Sequence, residues 1–223
     1  MPNASDTPAT STAPAYRPAP LFARFYEWTS RRRSFAAQFD PYRRKLAGMC
    51  GGRVLELGAG GGQNFPYYDP AQVSEVEAVE PDSTMLRYAH AHTKDSHVPI
   101  HITQATAERL PFDAHSFDTA LATLVLCSVT DLPATLAEIA RVLKPDGRLL
   151  LMEHVRNEHG GTAAIQSFFT PVQRRLAGNC HLNRDIGAAL READFTIELE
   201  RRYGGGMFPI RLYAARPPGA THS

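Results

Sequence analysis

The chain has 223 residues, 43% of them apolar, enough for one domain with a full core and too few for two ample ones. Its 24 Lys and Arg nearly balance 23 Asp and Glu, and a net charge of +1 gives no electrostatic footing for nucleic acid. The three cysteines, Cys50, Cys127 and Cys180, are widely spaced and odd in number, which argues against a disulfide framework or a paired-cysteine metal motif and fits a reducing cytoplasm.

Residues 1–19 are rich in Pro, Ala, Ser and Thr and read as a disordered tail. No basic-then-apolar leader is visible, and the longest apolar run, 119–129, is far short of the ~20 residues that span a bilayer. Residues 20–52 form a helical cap, with Leu21, Phe22, Phe25 and Trp28, then Phe35, Phe39, Tyr42 and Leu46 at helical spacing. Pro41 is expected to divide this stretch into two helices. The basic residues Arg31, Arg32, Arg33, Arg43, Arg44 and Lys45 read first as a solvated helix face. Their other reading is weak attraction to anionic lipid, a peripheral membrane contact.

From residue 53 strands alternate with helices. Strands are predicted at Arg53–Leu57, Val73–Glu80, Pro99–Ala105, Phe117–Leu124 and Gly147–His154, with helices at Asp82–His92 and Leu132–Leu143 and a turn at Ala107–Arg109. Lys144-Pro145-Asp146-Gly147 is a turn that stops the second helix. Helical pieces follow at Thr162–Leu176 and Asn183–Glu192, then strands at Thr196–Arg202 and Met207–Ala215 joined by Gly204-Gly205-Gly206. The expected architecture over residues 53–217 is α/β: a seven-stranded, mostly parallel sheet with an antiparallel edge strand and helices on both faces.

The sharpest local signal is Val54-Leu55-Glu56-Leu57-Gly58-Ala59-Gly60-Gly61-Gly62-Gln63-Asn64, an apolar strand running into glycines. In an open α/β sheet ligands bind beyond the carboxyl ends of the strands, and glycines let a ligand approach the turning backbone. A dinucleotide binder wants a third glycine where Gln63 stands, and no Gly-Lys-Ser/Thr follows for a phosphate-binding loop. Glu56, two residues before Gly58, would repel a pyrophosphate and suit a sulfonium or an amino group. Glu80, 18 residues after Gly62, ends the second strand where a carboxylate can accept hydrogen bonds from two ribose hydroxyls. Its alternative reading is an acid at a helix N-terminus, helped by Pro81 and Asp82.

These features, with Ala105-Thr106-Ala107-Glu108-Arg109-Leu110-Pro111-Phe112 and Arg141-Val142-Leu143-Lys144-Pro145 before Gly147, resemble in order the motifs of the class I S-adenosylmethionine-dependent methyltransferases. The resemblance implies a Rossmann-like methyltransferase domain that binds S-adenosylmethionine and releases S-adenosylhomocysteine. It implies cofactor contacts from Glu56, Gly58, Ala59, Gly60, Gln63, Glu80, Pro81, Thr106, Ala107, Thr123 and Leu124. Thr106 stands where the family usually has Asp, leaving the Ala107 amide for the adenine.

A narrower resemblance is carried by Thr123-Leu124-Val125-Leu126-Cys127-Ser128-Val129, by Leu151-Met152-Glu153-His154-Val155, and by Pro171 with Cys180, Leu182 and Arg184. These stretches are similar to the methyltransferase-like protein 7 family of thiol S-methyltransferases, whose animal members carry an N-terminal membrane-anchoring helix. That similarity implies a small-molecule methyl acceptor, most naturally a thiol. The alternatives are a phospholipid amine, a quinone-ring carbon, or a non-catalytic cofactor-binding module. Topology places 124–128 and 153–154 near the transferred methyl group. His154 is the candidate proton acceptor, with a capping role as its alternative. Cys127 reads first as a small buried hydrophobe, and His181 is a weaker candidate in a lid.

Overall fold

The computed structural model describes residues 16, 18–176, 178–203 and 208–220, without the side chains of residues 33, 35 and 176. Two helices, α1 (Pro20–Ser30) and α2 (Arg33–Ala47), precede an alternating series. It runs β1 (Gly52–Leu57), β2 (Val73–Val79), α3 (Ser83–His92), β3 (Ile100–Thr103), β4 (Phe117–Thr123), α4 (Leu132–Val142) and β5 (Leu143–His154). The chain ends on α5 (Gly160–Leu176), α6 (Ile186–Glu192), β6 (Thr196–Tyr203) and β7 (Ile210–Arg216).

The strands form one seven-stranded sheet in the order β3-β2-β1-β4-β5-β7-β6. β1 to β5 pair in parallel, and β7 inserts antiparallel between β5 and β6. The fold class read from the sequence is therefore the fold observed. Strand periodicity of two sends alternate side chains to opposite faces. Leu55, Leu57, Leu149 and Leu151 join Leu136, Ile139 and Leu190 of α4 and α6 on one face. Val54, Leu121, Leu150 and Met152 join Phe39 and Leu46 of α2 and Ala89 of α3 on the other. Burial on both faces is why these strands read as nearly continuous apolar runs.

Three local expectations change. Pro41 does not divide the cap: α2 runs through it, and the break falls at Arg31 and Arg32, where Arg32 turns extended (φ −74°, ψ 137°). A proline inside a helix forfeits one backbone hydrogen bond, but burial of Phe39, Leu46 and Ala47 along one face holds α2 in place. The turn at Lys144–Gly147 lies within β5 as an irregularity, the register stepping from Phe117↔Leu143 to Thr119↔Arg148. The basic stretch is no uniform solvated face. Arg43 is buried, Arg31 reaches Gly61, Arg32 covers the Trp28 ring and Arg44 the Tyr67 ring. The Gly204–Gly206 linker, Met207 and tail residues 1–15 and 17 lie outside the described residues. Among those described, no helix is long and apolar enough to cross a membrane.

Candidate active site

A cavity of about 510 Å³ opens at the carboxyl ends of the parallel strands, and the glycine loop forms one wall. Gly58 and Gly60 both take the left-handed conformation, φ +57°. A Cβ on Gly58 would lie 2.6 Å from Val125 Cγ2, so the loop after β1 and the loop after β4 meet where only glycine fits. Leu124, directly after β4, also holds a positive φ of 62°. For a bulky residue that is a strained conformation of the kind concentrated at functional sites.

The cavity gathers Gly58, Ala59, Gly60, Gln63, Glu80, Pro81, Thr106, Ala107, Thr123, Leu124 and His154 on its lining. Glu80 is buried and accepts the N–H of Gly60 and the N–H of Asp82, each at 2.9 Å. The cap of α3 is Asp82, which accepts from Thr84 and Met85, so Glu80 is not needed to cap that helix. Burial pushes Glu80 up to about 7, against the pull of its two backbone donors.

Among the expected cofactor contacts, Glu56 does not line the cavity. Its buried carboxylate accepts from Asn64 Nδ2 at 2.9 Å and from the Tyr68 hydroxyl at 2.6 Å. Burial pushes it up to about 7, with Tyr68, Asn64 and Arg43 opposing. Asn64 in turn accepts from Arg43 at 2.9 Å, and Arg43 donates to Thr123 Oγ1 at 3.0 Å. Glu56 thus acts through this network, and Arg43 is the cation it places on the cavity wall. No local motif marks Arg43. Its only sequence signal is a basic residue on the inward face of an amphipathic helix.

The cap is stitched to the glycine loop. Gln63 donates to Glu27 at 2.9 Å and to Ser30 at 3.1 Å while accepting the Gly61 N–H at 3.1 Å. Arg31 pairs with Glu27 and donates to the Gly61 carbonyl at 2.9 Å. Beyond the loop, Tyr16 donates to Asp82 at 3.2 Å and lines the cavity, so the end of the expected tail takes part in the site.

The opposite end is organised by Glu153. This buried carboxylate accepts the N–H groups of Val125, Leu126 and Cys127 at 2.9, 2.9 and 3.1 Å, fixing the loop after β4. The segment before α6 is tied to that loop by Arg184, which donates to the Leu126 carbonyl at 2.6 Å, and by the His181 N–H to the Cys127 carbonyl at 2.7 Å. The result sets Cys180 Sγ 3.6 Å from Cys127 Sγ and 3.9 Å from His154 Nδ1. All three residues line the cavity. His181 itself is held against the loop backbone and is not on the cavity lining.

Residues 55–151 match the methyltransferase domain family. The chain is 33% identical to thiol S-methyltransferase TMT1B of Rattus norvegicus over 66% of its length, an alignment spanning 62% of the rat protein. It is 31% identical to the Homo sapiens protein of the same name over 71% of this chain and 68% of that one. The ubiquinone/menaquinone biosynthesis C-methyltransferase UbiE of Vibrio cholerae is 36% identical over 46% of this chain and 41% of its own. A solved methyltransferase-like structure from Bacillus halodurans superposes with a TM-score of 0.66 at 20% identity, over 79% of this chain and 98% of that one, a likeness of fold. Sheet order, glycine loop and relatives agree, and the chain belongs to the class I S-adenosylmethionine-dependent methyltransferases, close to the thiol S-methyltransferases TMT1A and TMT1B.

Proposed function

We propose that this methyltransferase binds S-adenosylmethionine in the cavity described above and transfers its methyl group to the sulfur of a small thiol. The observation that carries the proposal is one cavity with two chemically distinct ends: Glu80 and the glycine loop at one, His154 with two cysteines at the other.

The residues present fit the cofactor. Glu80 spends one hydrogen bond on each oxygen and keeps lone pairs for ribose hydroxyls. Ala107 and Pro81 offer an apolar slot for the adenine, beside Thr106. Gly58, Ala59 and Gly60, with Gln63, border the amino-acid portion, and the Arg43 guanidinium is placed to meet its carboxylate. Thr123 and Leu124 close the floor. Glu56 contributes by holding Asn64 and, through it, Arg43. When bound, the cofactor supplies a methyl group on a sulfonium that leaves as a neutral thioether without acid assistance.

The chain's remaining task is alignment, and orientation alone can supply roughly 7–11 kcal/mol of a barrier. Leu124, Val125 and Ile210 give the acceptor end apolar walls. A thiol of pKa ~8.5 is only a few per cent thiolate at neutral pH, and His154 is the group placed to take its proton. Exposed Phe25 and Phe208 on the same cavity suit an acceptor with lipophilic character. They also leave peripheral contact with a membrane surface as part of the proposal.

Quinone-ring methylation is the second reading, favoured by the similarity to UbiE. Measuring S-adenosylhomocysteine formation with a panel of thiols, phenols, amines, phosphatidylethanolamine vesicles and a quinol decides between them. Turnover of small thiols is expected; turnover of the quinol or the vesicles, with thiols inert, would overturn the reading.

A further inference from the structure

We infer that Cys127, Cys180 and His154 form a binding site for a thiophilic divalent cation, zinc by preference, whose remaining coordination position faces the cavity. The three donor atoms lie within 4.8 Å of one another. The geometry favours a cation over a disulfide. Zn–S bonds of ~2.3 Å around a tetrahedral ion hold two sulfurs roughly 3.8 Å apart. The observed 3.6 Å separation is close to that. A disulfide of ~2.05 Å requires the sulfurs to approach by about 1.5 Å.

The donor set is two sulfurs and one imidazole nitrogen, the chemistry that selects zinc and other soft ions over magnesium or calcium. Three protein ligands with one position open is the arrangement of sites where an exogenous molecule binds the ion, in contrast to closed four-ligand structural sites. The supporting shell is rigid. Glu153 holds the backbone of Cys127 through its N–H, and His181 and Arg184 hold the segment carrying Cys180 against the same loop. The ligands are separated in the chain by 27 and 26 positions, so no spacing motif announces them.

This inference rests on the thiol reading and deepens it. The open position is where the acceptor's sulfur binds, its proton passing to solvent, and His154 then acts as a ligand and no longer as the proton acceptor.

The test is metal content of the untagged full-length chain after expression with added zinc and exhaustive dialysis. About one zinc per chain is expected, with occupancy below roughly a tenth in Cys127→Ser and Cys180→Ser and unchanged in Cys50→Ala. Circular dichroism establishes that each variant is folded, and a cobalt-loaded protein is expected to show sulfur-to-metal charge-transfer absorption that both serine variants lose. No zinc in the wild type, equal zinc in the serine variants, or recovery of Cys127 and Cys180 as a disulfide overturns the site. Zinc present without turnover of any thiol leaves the site standing and overturns the acceptor; thiol turnover by a metal-free chain does the reverse.

Discussion

The backbone N–H of Gly60 donates to the carboxylate of Glu80 at 2.9 Å, joining the loop after β1 to the acid that follows β2. On the proposed assignment, removing that acid would cost the cofactor an acceptor, and hydrogen bonds to a charged group contribute about 1.5–3 kcal/mol. Glu80→Ala is expected to weaken S-adenosylmethionine binding by roughly ten- to a hundredfold, measured by calorimetry, with the fold kept.

Because burial lifts Glu80 to about 7, its ionisation is linked to binding. Hydroxyl donors favour the ionised form, so binding releases a proton from the fraction still protonated. Affinity is expected to rise between about pH 6 and pH 8 and to level off above. Calorimetry in buffers of different ionisation enthalpy reads the released proton directly, and Glu80→Gln is expected to lose the slope. A wild-type affinity flat across this range would place Glu80 away from the ligand.

Gly60 sits at φ +57°, a conformation that costs an L-residue roughly 1–2 kcal/mol and a β-branched one more. Gly60→Val is expected to abolish cofactor binding while thermal unfolding stays cooperative. Normal binding by the variant would mean that the loop does not contact the ligand.

Tyr16 on Asp82 separates two parts of the expected tail. Deleting residues 1–14 is expected to leave affinity alone. Deleting 1–19 removes a side chain from the cavity wall, and a hydrogen bond contributes about 1 kcal/mol. Dissociation of S-adenosylhomocysteine is expected to quicken by about fivefold, followed by stopped-flow fluorescence of Trp28. Equal rates in the two truncations would show that Tyr16 contributes nothing to retention.

Glu153→Gln exchanges one of two acceptor oxygens for an amide donor facing the N–H groups of the loop after β4. An orphaned buried donor costs about 1–3 kcal/mol, so a clear fall in melting temperature and faster amide exchange at Leu126 and Cys127 are expected. An unchanged melting temperature would contradict the organising role given to Glu153.

The parts of this protein legible in its sequence are those encoded within a few consecutive residues. The central strands were legible because their apolar runs are buried, β6 by alternation at a half-exposed edge, and Val54–Asn64 carries strand, loop and glycines together. The place of Glu80 on the cavity was legible because it directly follows a strand end. That Glu56 pairs with Asn64 and Tyr68 was not legible, because that pairing depends on the path of the chain after the loop. Arg43 contacts Thr123 80 residues away, and Cys180 meets Cys127 across 53, so neither role is written in local spacing. Pro41 was misjudged because its local cost was weighed without the packing of α2 against the sheet.

The hydrogen bonds that run between Gln63 and Gly61 of the glycine loop and Glu27, Ser30 and Arg31 tie α1 and the residue after it to that loop. A ligand that settles the glycine loop is therefore expected to settle α1 along its whole length, including the residues that do not line the cavity. Occupancy should be readable at a distance, as slowed hydrogen exchange and resistance to proteolysis along Pro20–Ser30.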